Sequence, residues 1–316
     1  MAIQRYVGIG RETGSYGTAV AAVRYAEAVA KIKPSQGWVI PEPVARRDPQ
    51  KANLGPYRAR GNVGPFEAEP QNVFLDLMYA ALGKVTTTGT GPYTHQFRGE
   101  DSLPSYTLRL GVEKTERVLP GCLVESLRIH IPWNGDVMAQ AEIFSGFPET
   151  KASLATPTIS PLKAFNQCTY PSSNLMTIQT KDCRSLVYDL EFLIKNNIPF
   201  NRGALDGRNF SVKRYGKREI TGKLSIAFDD TDEYDRFIAG TDFTLVAHIV
   251  GDIISGADRY SLHFEMGTCR YVGDAVPDVT PINEPLVIAD AAFQSFYDPS
   301  YTNALEAAII NSVSSL

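Results

Sequence analysis

LVYDLEFLIK, residues 186–195, alternates in steps of two: Leu186, Tyr188, Leu190, Phe192 and Ile194 take one side, and Asp189, Glu191 and Lys195 the other. A period of two marks an extended strand with one covered and one wet face. The same rhythm recurs in both directions along the chain. In EITGKLSIAFDD, Ile220, Leu224, Ile226 and Phe228 oppose Thr221, Lys223 and Ser225. SYTLRLGV repeats it with Tyr106, Leu108 and Leu110, and SLRIHIP with Leu127, Ile129 and Ile131. Strands of this kind predict a mainly β protein built from antiparallel sheet.

Three segments carry helical signals. EPQNVFLDLMYAALG sets Pro70 near a start, Val73, Phe74, Leu77, Met78 and Ala81 on one face, and Gly83 as a stop. DDTDEYDRFIAG spaces Asp230 and Glu233 as a capping box, with Tyr234, Phe237 and Ile238 as the stripe and Gly240 at the end. The tail, TNALEAAIINSVSSL, offers Asn303 as a cap with Glu306 three residues on, and Leu305, Ala308, Ile309, Ser312 and Leu316 along one face, which predicts a C-terminal helix.

The order of elements repeats. In each half a Gly-containing strand leads to a short helix ending in glycine, then to further strands. Tyr106 pairs with Tyr260 and Phe144 with Phe296, while the helices align Phe74 with Tyr234 and Leu77 with Phe237. The expectation is one domain duplicated in tandem, residues 1–155 with an N-terminal arm and 156–316 with the C-terminal helix. The Pro/Thr/Ser-rich stretch TKASLATPTISP at about residues 150–161 is the expected seam.

With 316 residues, two domains are the natural prior. Twenty-five glycines and twenty prolines imply many turns. A net charge of −4 argues against tight binding to nucleic acid, which needs a basic surplus. Cys122, Cys168, Cys183 and Cys269 are far apart and read as reduced, buried thiols. His95, His130, His248 and His263 have no acid or nucleophile at a catalytic spacing, so no enzyme activity, metal or cofactor is expected. DDTDEYD lacks the glycine and terminal glutamate of a calcium loop. The N-terminus has no apolar core of a signal peptide, and FTLVAHIVGDII is short and interrupted by Asp252, so a soluble protein is expected.

GIGRETGSYG contains GxG but no Walker lysine, and no buried strand precedes it, so a nucleotide site is a weak reading. Its glycines suit a backbone bend, with Tyr16 as an aromatic anchor. Two long basic segments stand at equivalent places in the repeat. Residues 41–61 carry Arg46, Arg47, Lys51, Arg58 and Arg60, and residues 196–219 carry Arg202, Arg208, Lys213, Arg214, Lys217 and Arg218. Acidic residues gather at the helix starts: Glu67 and Glu69 at the first, and Asp229, Asp230, Asp232 and Glu233 at the second. Basic loops against acidic helix starts suit head-to-tail association of copies.

RETGSYGTAV (11–20), YTHQFRGEDSLPSYTLRLGVE (93–113), LEFLIKNNI (190–198) and REITGKLSIAFDDTDEYDRFIAG (218–240) together resemble the tail tube proteins of long-tailed bacteriophages. That resemblance implies a β-sandwich or partial barrel with one short helix per domain, joined edge to edge with copies of itself into a ring, and rings stacked into a tube that passes double-stranded DNA. It implies a virion component assembled in the host cytoplasm, with the tape measure protein and the tail terminator and distal tail proteins as partners. With two such domains per chain, three copies would close a pseudo-six-fold ring. Six domains of four strands, spaced about 4.8 Å and tilted about 40°, give a backbone diameter of roughly 48 Å, wide enough for a duplex. Alternatives are a tail terminator, baseplate-hub or secretion-tube ring protein, and a carbohydrate-binding β-sandwich or glycosidase, although Trp38 and Trp133 are the only tryptophans.

Overall fold

The computed structural model describes residues 5–39, 53–159, 161–199, 209–210, 213, 215–273, 275–276, 287–300 and 302–316. Among the described residues eighteen strands, all in antiparallel pairs, join into one hydrogen-bonded network with two helices. The mainly β architecture is the one expected.

The first half comprises β1 (Arg5–Arg11), β2 (Arg24–Ala26), β3 (Ala30–Val39), β4 (Asn53–Glu67), α1 (Val73–Leu82), β5 (Gly83–Thr88), β6 (Tyr93–Gly99), β7 (Tyr106–Val112), β8 (Thr115–Pro132), β9 (Met138–Ser145) and β10 (Thr150–Ala152). The second comprises β11 (Leu175–Ile178), β12 (Lys181–Asp182), β13 (Val187–Lys195), β14 (Glu219–Ala227), α2 (Asp232–Ala239), β15 (Phe243–Ser255), β16 (Asp258–Tyr271), β17 (Val287–Phe296) and β18 (Glu306–Asn311). The boundary expected near residue 155 falls between β10 and β11, where no strand forms.

One sheet runs through both halves in the order β3–β4–β9–β8–β13–β14–β17–β16. Four strands come from each half, in matching order. β8 and β16 are long enough to serve a second layer as well: their first parts pair with β7 and β15, which in turn hold β1 and β11. The core lies between the layers, where the Phe192 and Phe264 rings meet edge to face at 4.9 Å. Alternate residues Leu127, Ile129 and Ile131, and Leu190, Phe192 and Ile194, point into it.

α1 ends where its sequence predicts. Asn72 Oδ1 accepts the Phe74 N–H at 2.9 Å, and Gly83 closes the helix in the left-handed region at φ 99°. The helix has no wet face, because all ten residues are buried. Its Asp76 pairs with Arg24 of β2 at 2.8 Å, and Arg24 also donates to the Ser315 carbonyl, tying the arm, the helix and the C-terminus together. α2 also ends on a left-handed glycine, Gly240, at φ 62°.

Several expectations need correction. A buried strand does precede GIGRETGSYG: it is β1, with Tyr6, Val7 and Ile9 in the interior. The predicted C-terminal helix is strand β18, inserted between β6 and β16. Ala307, Ile309 and Asn311 are buried in steps of two, so a short apolar run with two isoleucines is extended once partners flank it on both sides. Tyr188 does not share a face with Leu190, because a register shift between Val187 and Asp189 turns Val187 inward and leaves Tyr188 outside. Asp230 and Glu233 form no capping box: the N-cap is Thr231, Asp230 accepts the Asp232 N–H, and Glu233 turns inward to Tyr271. Finally, Tyr106 lies in β7 and Tyr260 in β16, strands with different places in their halves; the residue placed like Tyr106 is Phe243. Phe144 likewise matches Gln294 rather than Phe296, since Ser145 and Ser295 hold the same place.

Candidate assembly surfaces

The arm after β1 is held by Glu12 rather than by Tyr16 alone. The Glu12 carboxylate is buried and accepts the Gly17 N–H at 3.0 Å, the Thr107 hydroxyl at 2.9 Å and the Gly121 N–H at 2.7 Å. Hydrogen bonds to a charged group contribute about 1.5–3 kcal/mol each. Gly17 has φ +81°, and a Cβ there would sit 2.3 Å from the Phe147 ring, so only glycine fits. Tyr16 packs edge to face on Phe147 at 4.9 Å and donates to the Gly121 carbonyl at 3.3 Å. Burial raises its pKa above the usual phenol value. The arm therefore docks within its own chain.

The β13–β14 connection also docks within the chain, on the first half. Asn196 N–H and Ile198 N–H donate to the Glu125 carbonyl and carboxylate, and Phe210 N–H donates to Gly146 O at 3.1 Å. The Phe210 ring meets Phe144 at 5.4 Å, with the Arg58 guanidinium 5.1 Å from its centroid. The Lys213 ammonium lies 5.2 Å over the Tyr16 ring, where burial lowers its pKa. Arg218 donates to Leu82 O at 3.0 Å, Glu100 O at 2.7 Å and Asn196 Oδ1 at 3.2 Å. It thus stitches the end of α1 to the second half. Arg60 pairs with Glu142 at 2.8 Å, and Lys217 is exposed. Arg46, Arg47, Lys51, Arg202, Arg208 and Arg214 lie outside the described residues.

Of the acidic candidates, Glu67 is exposed and Glu69 half-buried beside it, with Glu27 close by. Asp229, Asp230 and Asp232 are exposed or nearly so, and Asp230 pairs with Lys181. Glu233 is not on this surface: it is buried, accepting from Tyr271 Oη at 2.6 Å and pairing with Arg236. β4 and β14 run in the same direction and each leads to an acidic helix start, while the exposed Lys217 precedes β14 at the opposite end of the sheet. β4 alone spans about 50 Å at ~3.3 Å per residue.

The sheet face turned from the core is polar, and ion pairs bridge its seams. Besides Arg60–Glu142 between β4 and β9, Arg128 lies 3.5 Å from Glu191 between β8 and β13, where His130 Nε2 also hydrogen-bonds Asp189 at 2.5 Å, and Lys223 lies 3.8 Å from Asp290 between β14 and β17. Cationic and anionic groups alternate, so no single sign dominates. The sheet also stops at two edges. Among the described residues β3 pairs only with β4, and at the far end of β16 the backbone of Arg270 to Gly273 bonds only to β17. Pro34 lies in β3, as an edge strand tolerates.

Cys122, Cys183 and Cys269 are buried as expected, but Cys168 is exposed. No helix among the described residues is long and apolar enough to cross a membrane. No curated protein sequence matches the chain closely enough to count as a relative. A sequence model of the family described as phage tail tube protein matches residues 3–295.

Proposed function

The chain belongs to the phage tail tube protein family, and from that membership we propose that it is the major subunit of the tube, closing into rings that stack into the conduit for DNA ejection. The single observation that carries this reading is the through-running sheet with two open edges. Unpaired strand edges are a liability that closure removes. The β8–β13 seam, Ser126–Pro132 against Asp189–Lys195, already shows one four-stranded unit joining another edge to edge. Read as two tandem tube domains, residues 1–155 and 156–316, the chain repeats that seam between copies, β16 of one against β3 of the next. Three copies then close a pseudo-six-fold ring.

In such a ring the polar face lines the channel. Its alternating charges neither grip a polyanion nor repel it along the whole length, which suits transient passage of double-stranded DNA. Stacking brings the basic end of one ring to the acidic end of the next, a head-to-tail contact that extends without closing. Lys217, with Arg202, Arg208 and Arg214 of the second connection, supplies the stacking candidates on one end, and Glu67, Glu69, Asp229, Asp230 and Asp232 those on the other. The tape measure protein inside and the terminator and distal tail proteins at the ends complete the partner set, in a virion assembled in the host cytoplasm.

Electron microscopy of the concentrated protein tests this. Tubes built of stacked rings are expected. Single rings that never stack would favour a terminator or hub role, and a protein that stays a lone protomer would overturn the reading.

A further inference from the structure

The two halves are equivalent residue by residue at one end of the sheet. Cys122 stands opposite both Tyr106 and Ser145, and Cys269 opposite both Phe243 and Ser295. Three residues later each strand carries an irregularity. The β8–β9 register shifts around Glu125, and Val272 and Gly273 both donate to the Ala292 carbonyl. Glu125 thus corresponds to Val272, Gly146 to Phe296 and Phe147 to Tyr297.

The two ends differ in what covers them. In the first half the β13–β14 connection lies over the surface: it bonds Glu125 and Gly146, stacks Phe210 on Phe144 and places Lys213 on the Tyr16–Phe147 pair. In the second half the corresponding side chains are bare. Val272 is 56% exposed, Phe296 38% and Tyr297 64%, and an open hollow of about 350 Å³ adjoins the two aromatics. Large apolar side chains grouped at one place mark an interaction surface.

The sheet order says what should cover them. β13 lies beside β8, so its connection to β14 reaches the first half. The strand equivalent to β13 is β3, and in one chain β3 is at the opposite edge, out of reach of the second half. We propose that the β3–β4 hairpin of a second copy lies across Val272, Phe296 and Tyr297 and clamps the ring laterally. This rests on the ring reading above. It assigns the hairpin to a neighbour within the ring rather than to the ring above or below.

Two measurements on the full chain, carrying Cys168→Ser, separate the clamp from the ring. By equivalence with Ser126 opposite Lys195, Gly273 of one copy should face Ser35 of the next. The Ser35→Cys/Gly273→Cys variant should therefore form inter-copy disulfides on mild oxidation. In parallel, p-benzoylphenylalanine replaces the exposed Tyr297, and rings not stacked into tubes are irradiated and the adducts mapped. Adducts to residues 36–57 of another copy are expected. Disulfides with no such adducts, or adducts that form only in tubes, would overturn the clamp and leave the ring intact. Absence of the disulfide would overturn both. The Phe296→Ser/Tyr297→Ser variant should raise the concentration for half-assembly of rings by about tenfold or more, as loss of an aromatic contact centre does. Unchanged assembly would count against the clamp.

Discussion

Glu69 shows how one side chain reports on its surroundings. Its Oε2 is buried and has no hydrogen-bond partner among the described residues. Burial, then the nearby Glu67 and Glu27, raise its pKa from 4.5 to about 7. The folded chain therefore holds this proton more tightly than the unfolded chain does. Its contribution to stability is full below about pH 4.5 and is lost as pH rises through about 7. Glu69→Gln should flatten the pH dependence of the unfolding midpoint across that window and raise it above pH 7, as measured by thermal melts at several pH values. A wild-type profile already flat there would contradict this. At the same scale, sequence reading found Tyr16 but not Glu12, because the three donors that Glu12 accepts come from residues 17, 107 and 121. Arg218 and Glu233 looked like free surface charge for the same reason. Their partners are remote in sequence, at Leu82 and Glu100 for one and at Tyr271 for the other.

Among elements, β18 is the one that sequence reading mistook. Its alanines, single glutamate and capping asparagine satisfy local helix rules, and local rules are weak against two flanking strands. β18 bonds β16 on one side and β6 on the other, so it welds the outer layer of one half to the other. Ala308 faces both Gln96 and His263 across these ladders. Proline at a central strand position removes a ladder bond and leaves its carbonyl partner unsatisfied, so Ala308→Pro should destabilise by about 1–3 kcal/mol. It should also raise amide exchange in β5 and β6 above that in β13 and β14. Equal protection in the two regions would show that β18 is no weld. The C-terminal ends of α1 and α2, by contrast, were legible, since their stops are glycines acting on their own backbone, whereas the capping box expected at the start of α2 does not form.

Across the whole molecule, two kinds of contact are expected to assemble the tube, and they differ in chemistry. Ring closure joins backbone donors and acceptors with apolar cover, while stacking opposes charged ends. Salt screens exposed charges, with the Debye length falling from about 10 Å at 0.1 M to about 3 Å at 1 M. Raising the salt over that range should disperse tubes into rings before rings into protomers, as followed by sedimentation. Dispersal straight to protomers would place the charges in the ring seam instead.

The alternation of apolar and polar residues determined, without help, that the chain is mainly β, and the glycine stops located α1 and α2, although the same local rules also wrote a helix into the tail. Those properties come from neighbours a few residues apart. Only the tertiary structure decided which strands meet: that β8 takes β13 as its neighbour, that the tail becomes a strand, and that one half is covered at its end while the other stands bare. The physical reason is that a strand's backbone groups are satisfied across the sheet rather than along the chain, so the identity of each partner is a property of the assembled fold.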